Sequence, residues 1–65
     1  GKKFRGPILM LWTVQYLCQY APIWRDAAET AVWEEAVIAC QTIRFSRGRP
    51  ARIVNEFGQE VYRLP

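Results

Sequence analysis

Arg44-Phe45-Ser46-Arg47-Gly48-Arg49-Pro50-Ala51-Arg52 is the stretch in which one regular element gives way to another. Gly48 accepts the left-handed conformation that closes a helix, because it has no Cβ to clash with the preceding turn. Pro50 lacks an amide hydrogen and pushes its predecessor into extended backbone, so the chain cannot re-enter a helix there. A helix is therefore predicted before Gly48 and a strand after Pro50. The same nine residues carry Arg44, Arg47, Arg49 and Arg52, so the helix-to-strand junction is also where positive charge collects.

Upstream of the junction, Trp33, Ala36, Val37, Cys40 and Ile43 recur at the spacing of one helix face. Glu34 and Glu35 fall early and Arg44 late, matching the helix dipole at both ends. Thr30 offers a hydroxyl to a first-turn amide. The pattern predicts an amphipathic helix over residues 31–45 with Thr30 as its N-cap.

Before the helix, residues 9–20 alternate. Trp12, Val14, Tyr16, Cys18 and Tyr20 share one face; Leu11, Thr13, Gln15, Leu17 and Gln19 share the other. Alternation rich in β-branched and aromatic residues suits a strand, with the aromatic face against the helix. Ala21-Pro22 marks a turn. Residues 23–28 read as a short second strand with Trp24 and Asp26 on one face, although Asp26-Ala27-Ala28-Glu29 would also serve as a helix start. After Pro50, residues 51–55 and 59–63 read as a hairpin about the turn Asn55-Glu56-Phe57-Gly58, with Gly58 suited to positive φ. Ile53, Val61 and Tyr62 are its expected apolar contacts.

The predicted class is α+β: a ββαββ chain whose small antiparallel sheet is covered on one face by one amphipathic helix. Residues 1–65 form a single domain, residues 1–8 being a basic arm that contains Lys2, Lys3 and Arg5. The second sheet face has no element left to cover it, and Leu11 and Leu17 on the mixed face of the first strand become candidates for an intermolecular contact.

The segment 33–62 resembles small proteins encoded in bacteriophage and prophage genomes. Their pattern is an alanine-rich helix, Gly-x-Pro, then a hairpin of the form Arg-Ile-Val, a turn and Gly-x-Val-Val-Tyr. The matching residues are Arg52-Ile53-Val54 and Gly58-Gln59-Glu60-Val61-Tyr62, and Trp24 resembles the tryptophan of the upstream hairpin in such chains. The resemblance implies a compact ββαββ unit of mobile-element origin and carries no catalytic residue to transfer.

Composition narrows the functional classes. The chain has 65 residues, 51% of them apolar, and a net charge of +3 with an isoelectric point near 9.2. A domain this small buries only about 60% of its unfolded surface, so the apolar surplus favours self-association or docking on a protein partner. There is no histidine and there are only two cysteines, which excludes an ordinary structural zinc site. Cys18 and Cys40 each lie in an apolar stretch and read as two buried thiols, with a single bridge between them the alternative. The apolar run 7–12 follows basic residues as a signal peptide would, but Gln15 and Gln19 interrupt it, and it is far shorter than a membrane span of about 20 residues. The expectation is a cytoplasmic chain without a membrane segment.

Catalysis lacks its usual parts: no histidine base, no glycine-rich phosphate loop, and a Glu34-Glu35 pair whose side chains diverge by about 100° on a helix. A non-enzymatic module is expected, with no catalytic residues, no metal, no cofactor and no small-molecule substrate. The leading reading is a protein-interaction module, docking on a partner or on a second copy, with Leu17 and the arginine-rich loop in the contact. The alternative is nucleic-acid binding: Arg44, Arg47, Arg49 and Arg52 would hold phosphates and Phe45 would stack on a base. Against both stands the possibility that these arginines merely solvate the loop and pair with Glu56 or Glu60. The Trp12, Tyr16, Tyr20 ladder reads as core rather than as a stacking platform.

Overall fold

The computed structural model describes residues 10–65; the basic arm at 1–8 lies outside them. Five elements follow in chain order: β1 (Trp12–Leu17), β2 (Trp24–Thr30), α1 (Trp33–Arg47), β3 (Ala51–Val54) and β4 (Glu60–Leu64). The strands form one antiparallel sheet in the order β2-β1-β3-β4. The ββαββ architecture with one helix on one sheet face is therefore the fold of this chain. The helix carries the chain from the edge strand β2 to β3, which inserts beside β1.

Helix α1 begins and ends two residues later than its periodicity suggests. Its N-cap is Val32, in extended conformation and without a side-chain cap. Thr30 is not the cap. Its hydroxyl accepts the Val32 amide hydrogen at 3.1 Å and donates to Glu35 at 3.1 Å. The threonine thus closes a local turn ahead of the helix. At the other end, Gly48 has φ 64° and donates its amide hydrogen to the Arg44 carbonyl at 3.0 Å. The glycine stop is as the junction predicts.

Strand β1 is shorter than its alternation. Cys18 leaves the sheet by donating its amide hydrogen to the Ile23 carbonyl at 2.8 Å, and Ile23 closes back on Ala21. The Asp26–Thr30 segment is strand, not helix start, and it runs to Thr30 because of a bulge. Val14 pairs with Ala28 and Gln15 with Asp26, so Ala27 is the extra residue. An extra residue turns the alternation over. Trp24 and Asp26 consequently face away from the helix, whereas Ala28 packs toward the core. A second bulge acts in β4, where Ile53 pairs with Tyr62 and Val54 with Glu60, leaving Val61 unpaired. It turns Tyr62 inward and leaves Val61 exposed, which corrects the expectation that Val61 supplies core contact.

The core is small: Ala36 and Cys40 of the helix and Val14, Ala51 and Ile53 of the sheet are fully buried between the two layers. Trp12, Trp33 and Tyr62 close one end of it. Trp33 meets Trp12 edge-on at 5.0 Å and Tyr62 edge-on at 6.0 Å between ring centroids. Such pairs contribute about 1 kcal/mol each beyond their buried area. Of the aromatic ladder on β1, Trp12 joins this cluster, while Tyr20 lies outside the strand and is 90% exposed.

Candidate functional site

The register sorts charge along the sheet. Pairing of Trp12 with Thr30 and of Val54 with Glu60 defines one end; pairing of Leu17 with Trp24 and of Ala51 with Leu64 defines the other. Glu29, the first-turn residues Glu34 and Glu35, the turn residue Glu56, and Glu60 all belong to the Trp12 end. Arg25, Arg44, Arg47, Arg49, Arg52 and Arg63, every arginine of the described residues, belong to the Leu17 half. Antiparallel pairing brings this about: the starts of β2 and β3 and the ends of β1, β4 and α1 meet there.

The four arginines of the junction do not form one patch. Arg44 turns to the chain end, its Nε donating to the Pro65 backbone oxygen at 2.7 Å. Arg52 lies on the sheet face away from the helix, its guanidinium 4.2 Å from the Trp24 ring centroid. There it donates to Gln15 at 2.9 Å and pairs with Glu60 at 3.3 Å. Arg63 pairs with the same carboxylate at 2.7 Å and lies 5.1 Å from Trp24. These two cations hold the Glu60 carboxyl below its ordinary range, Arg63 contributing most. Gln15 also donates to Asp26 at 2.8 Å. Leu17 shares this face in half-buried form, so its neighbours are a joined polar network and the Trp24 ring rather than an apolar patch. Phe45 is 89% exposed.

Arg47 and Arg49 do come together, and the fold adds Arg25 to them. They line a cleft of about 400 Å³ with Tyr16, Cys18, Gln19, Tyr20 and Ser46. Its walls are the end of β1, the start of β2, the last turn of α1 and the loop before β3. The Arg47 guanidinium lies 4.1 Å from the Tyr16 ring centroid, an arrangement that leaves its in-plane N–H donors free of the ring. Arg49 is anchored by bonds to the Leu17 and Cys18 carbonyls at 3.3 and 3.4 Å. Among the described residues no carboxylate lines the cleft, and neither Arg25, Arg47 nor Arg49 has a carboxylate within salt-bridge distance.

Cys18 is the residue that sequence reasoning misplaced. Both cysteines are free; Cys40 is buried as expected, but Cys18 is partly exposed and lines the cleft. Its surroundings lower its pKa from 9.0 to about 7. The Tyr20 amide hydrogen contributes most, followed by the Arg25 side chain and the Ala21 amide hydrogen. Burial acts in the opposite sense on Cys40 and raises its pKa. The available signal was Pro22. A turn that tight after β1 leaves Cys18 outside the sheet, within reach of the first residues of β2.

Among the described residues there is no group of three or more His, Cys, Asp or Glu side chains able to hold a metal ion, and no helix long and apolar enough to cross a membrane. No family model, no curated protein and no solved structure matches this chain.

Proposed function

We propose that this chain is a small non-catalytic module that binds nucleic acid through its arginine-bearing end. The observation that carries the reading is the separation of charge along the sheet: the glutamates gather at the Trp12 end and the arginines at the Leu17 end, where Asp26, bonded to Gln15 on the face away from the helix, is the one acidic side chain among the described residues. Only Arg52 and Arg63 of these arginines are committed to a carboxylate. Arginines without carboxylate partners beside exposed aromatic rings suit a phosphate chain, whose neutralisation releases counterions and whose bases stack on aromatic faces. Tyr20 and Phe45, both strongly exposed at this end, supply such rings.

Docking on an acidic protein surface would use the same arginines. The apolar version of that reading, with Leu17 at its centre, is less favoured, because Leu17 shares its face with Gln15, Asp26, Arg52, Glu60 and Arg63, which are already joined to one another.

The test is a fluorescence-anisotropy titration with single- and double-stranded DNA and RNA at ~50 and ~200 mM salt. Micromolar binding that weakens at least about tenfold over that range, and that is lost in the Arg25→Glu/Arg47→Glu variant, is expected. Binding to none of the four probes at either salt would overturn the reading and leave the acidic protein surface as the partner to pursue.

A further inference from the structure

The cleft at the arginine-bearing end is concave and brings three arginines together, whereas a neighbouring hollow along the turn through Pro22 holds Arg49 alone. Three guanidinium groups reach it from three separate segments: Arg25 from β2, Arg47 from α1 and Arg49 from the loop before β3. Two of the three are held by defined partners, and the third reaches the cleft across the strand pairing of Tyr16 with Arg25. Arg47 lies over Tyr16, Arg49 is tied to two main-chain carbonyls, and Arg25 lines the same cleft as Cys18. Cations held in place before a ligand arrives lose little side-chain freedom when it binds. Guanidinium groups also match phosphate oxygens in bidentate geometry. The Ser46 hydroxyl, on the same wall as Arg47, adds a neutral donor. At about 400 Å³ the space falls in the range of small-ligand sites and exceeds what a phosphate alone needs.

We propose that this cleft is a phosphate subsite, taking the phosphate of a nucleotide unit between Arg25, Arg47 and Arg49 and its attached sugar or base toward Tyr20, with the Cys18 thiol facing the bound group. The proposal rests on the nucleic-acid reading and narrows it to a defined position on the molecule.

One consequence is specific to this geometry. The Cys18 thiolate is populated at neutral pH because its pKa is about 7, the Arg25 guanidinium being one of the groups that favour it. The groups facing it are Arg25 from β2, Tyr16 and Tyr20 from β1 and its turn, and Arg47 and Arg49 from the helix end and the loop. A phosphate dianion in their midst disfavours a second negative charge. Ligand binding therefore raises the Cys18 pKa and also covers the sulfur. Both effects slow reaction with an electrophile, since the thiolate is the nucleophile. Buried Cys40, whose pKa is raised, stays silent and serves as the internal reference.

The experiment follows iodoacetamide alkylation of Cys18 in the wild-type chain by peptide mass spectrometry. Three probes are compared: inorganic phosphate, a 5′-phosphorylated oligonucleotide and the same oligonucleotide without the terminal phosphate. Each is set against sodium chloride of matched ionic strength. With phosphate at about ten times its dissociation constant, alkylation is expected to slow about tenfold, and the midpoint of its pH profile to rise. Arg47→Ala should abolish the protection, whereas Arg44→Ala, on the same helix but outside the cleft, should keep it. No protection by phosphate, or equal protection by chloride, overturns the subsite. Oligonucleotides that bind by anisotropy without protecting Cys18 overturn the subsite while the nucleic-acid reading stands. Protection by phosphate without any oligonucleotide binding keeps the subsite, overturns its nucleotide assignment and assigns it to a free phosphate compound.

Discussion

The two ends of this sheet are built from the same five elements and differ in what sits between helix and strands. At the Trp12 end, Trp12, Trp33 and Tyr62 interlock edge to face and seal the core. At the Leu17 end the corresponding space holds Tyr16 with Arg47 over it, and beyond them a cleft. Aromatic rings on each other exclude water and contribute to folding. A guanidinium over a ring keeps its donors in water and available to a ligand. A domain with so few buried side chains cannot close both ends with apolar contacts, and the end left open is the one that collects the arginines.

The largest test of this contrast is Trp33→Ala. It removes both edge-to-face contacts, and truncating a packed tryptophan costs about 3 kcal/mol or more. In a domain this small much of the population should then unfold, as read by urea denaturation. A loss below about 1 kcal/mol would mean that the Trp12 end is not the anchor of the fold. Next comes Gly48→Ala. Its φ of 64° disfavours any Cβ, and about 1–2 kcal/mol of stability should be lost although there is open space around the site. An unchanged midpoint would show that the helix can end elsewhere without cost.

Smaller effects belong to the Leu17 half. Arg52→Ala removes the cation above Trp24, a hydrogen bond to Gln15 and an ion pair with Glu60. Because the pair is solvent-facing, about 1 kcal/mol is expected in thermal or urea unfolding. A cost as large as that of Trp33→Ala would erase the distinction between the ends. The smallest effect is a change of slope with pH. Cys18 has a folded pKa near 7 against an ordinary 9.0. Its thiolate is favoured in the fold, so the stabilisation is complete above about pH 9 and is lost as pH falls through 7. Cys18→Ser should flatten the stability profile between those values. A profile identical to the parent's would remove the special environment of Cys18. The lowered Glu60 carboxyl acts in the same sense at acid pH: its contribution is lost as pH falls through its depressed folded value.

Much of the fold was legible because strong local signals agreed. Gly48 and Pro50 set the helix-to-strand junction, and the Trp33–Ile43 stripe set the helix face. The period-two run of β1 set its inward residues Trp12 and Val14. The two bulges were not legible. Ala27 and Val61 look like ordinary strand residues, and only pairing with β1 and β3 reveals that each is supernumerary. That is why Tyr62 rather than Val61 meets the helix. It is also why Glu60 and Arg63, three residues apart in a strand, reach one another. Arg47 and Arg49 were legible as candidates from charge density alone, and the fold brings both to the cleft. Arg25 and Cys18 were not, because their meeting depends on the turn through Pro22 and on the pairing of Tyr16 with Arg25. The linear arginine cluster was a poor guide to the surface: Arg44 and Arg52 are neighbours of Arg47 in sequence yet point to the chain end and to the far sheet face.

The claim that one end folds the protein and the other binds is tested most directly by titrating the ¹⁵N-labelled chain with a 5′-phosphorylated oligonucleotide and following each amide. The account predicts shifts concentrated at Gln19, Tyr20, Arg25, Arg47 and Arg49, with Trp12, Trp33 and Tyr62 unmoved. Shifts centred on the Trp12 end, or spread evenly over both ends, would contradict it.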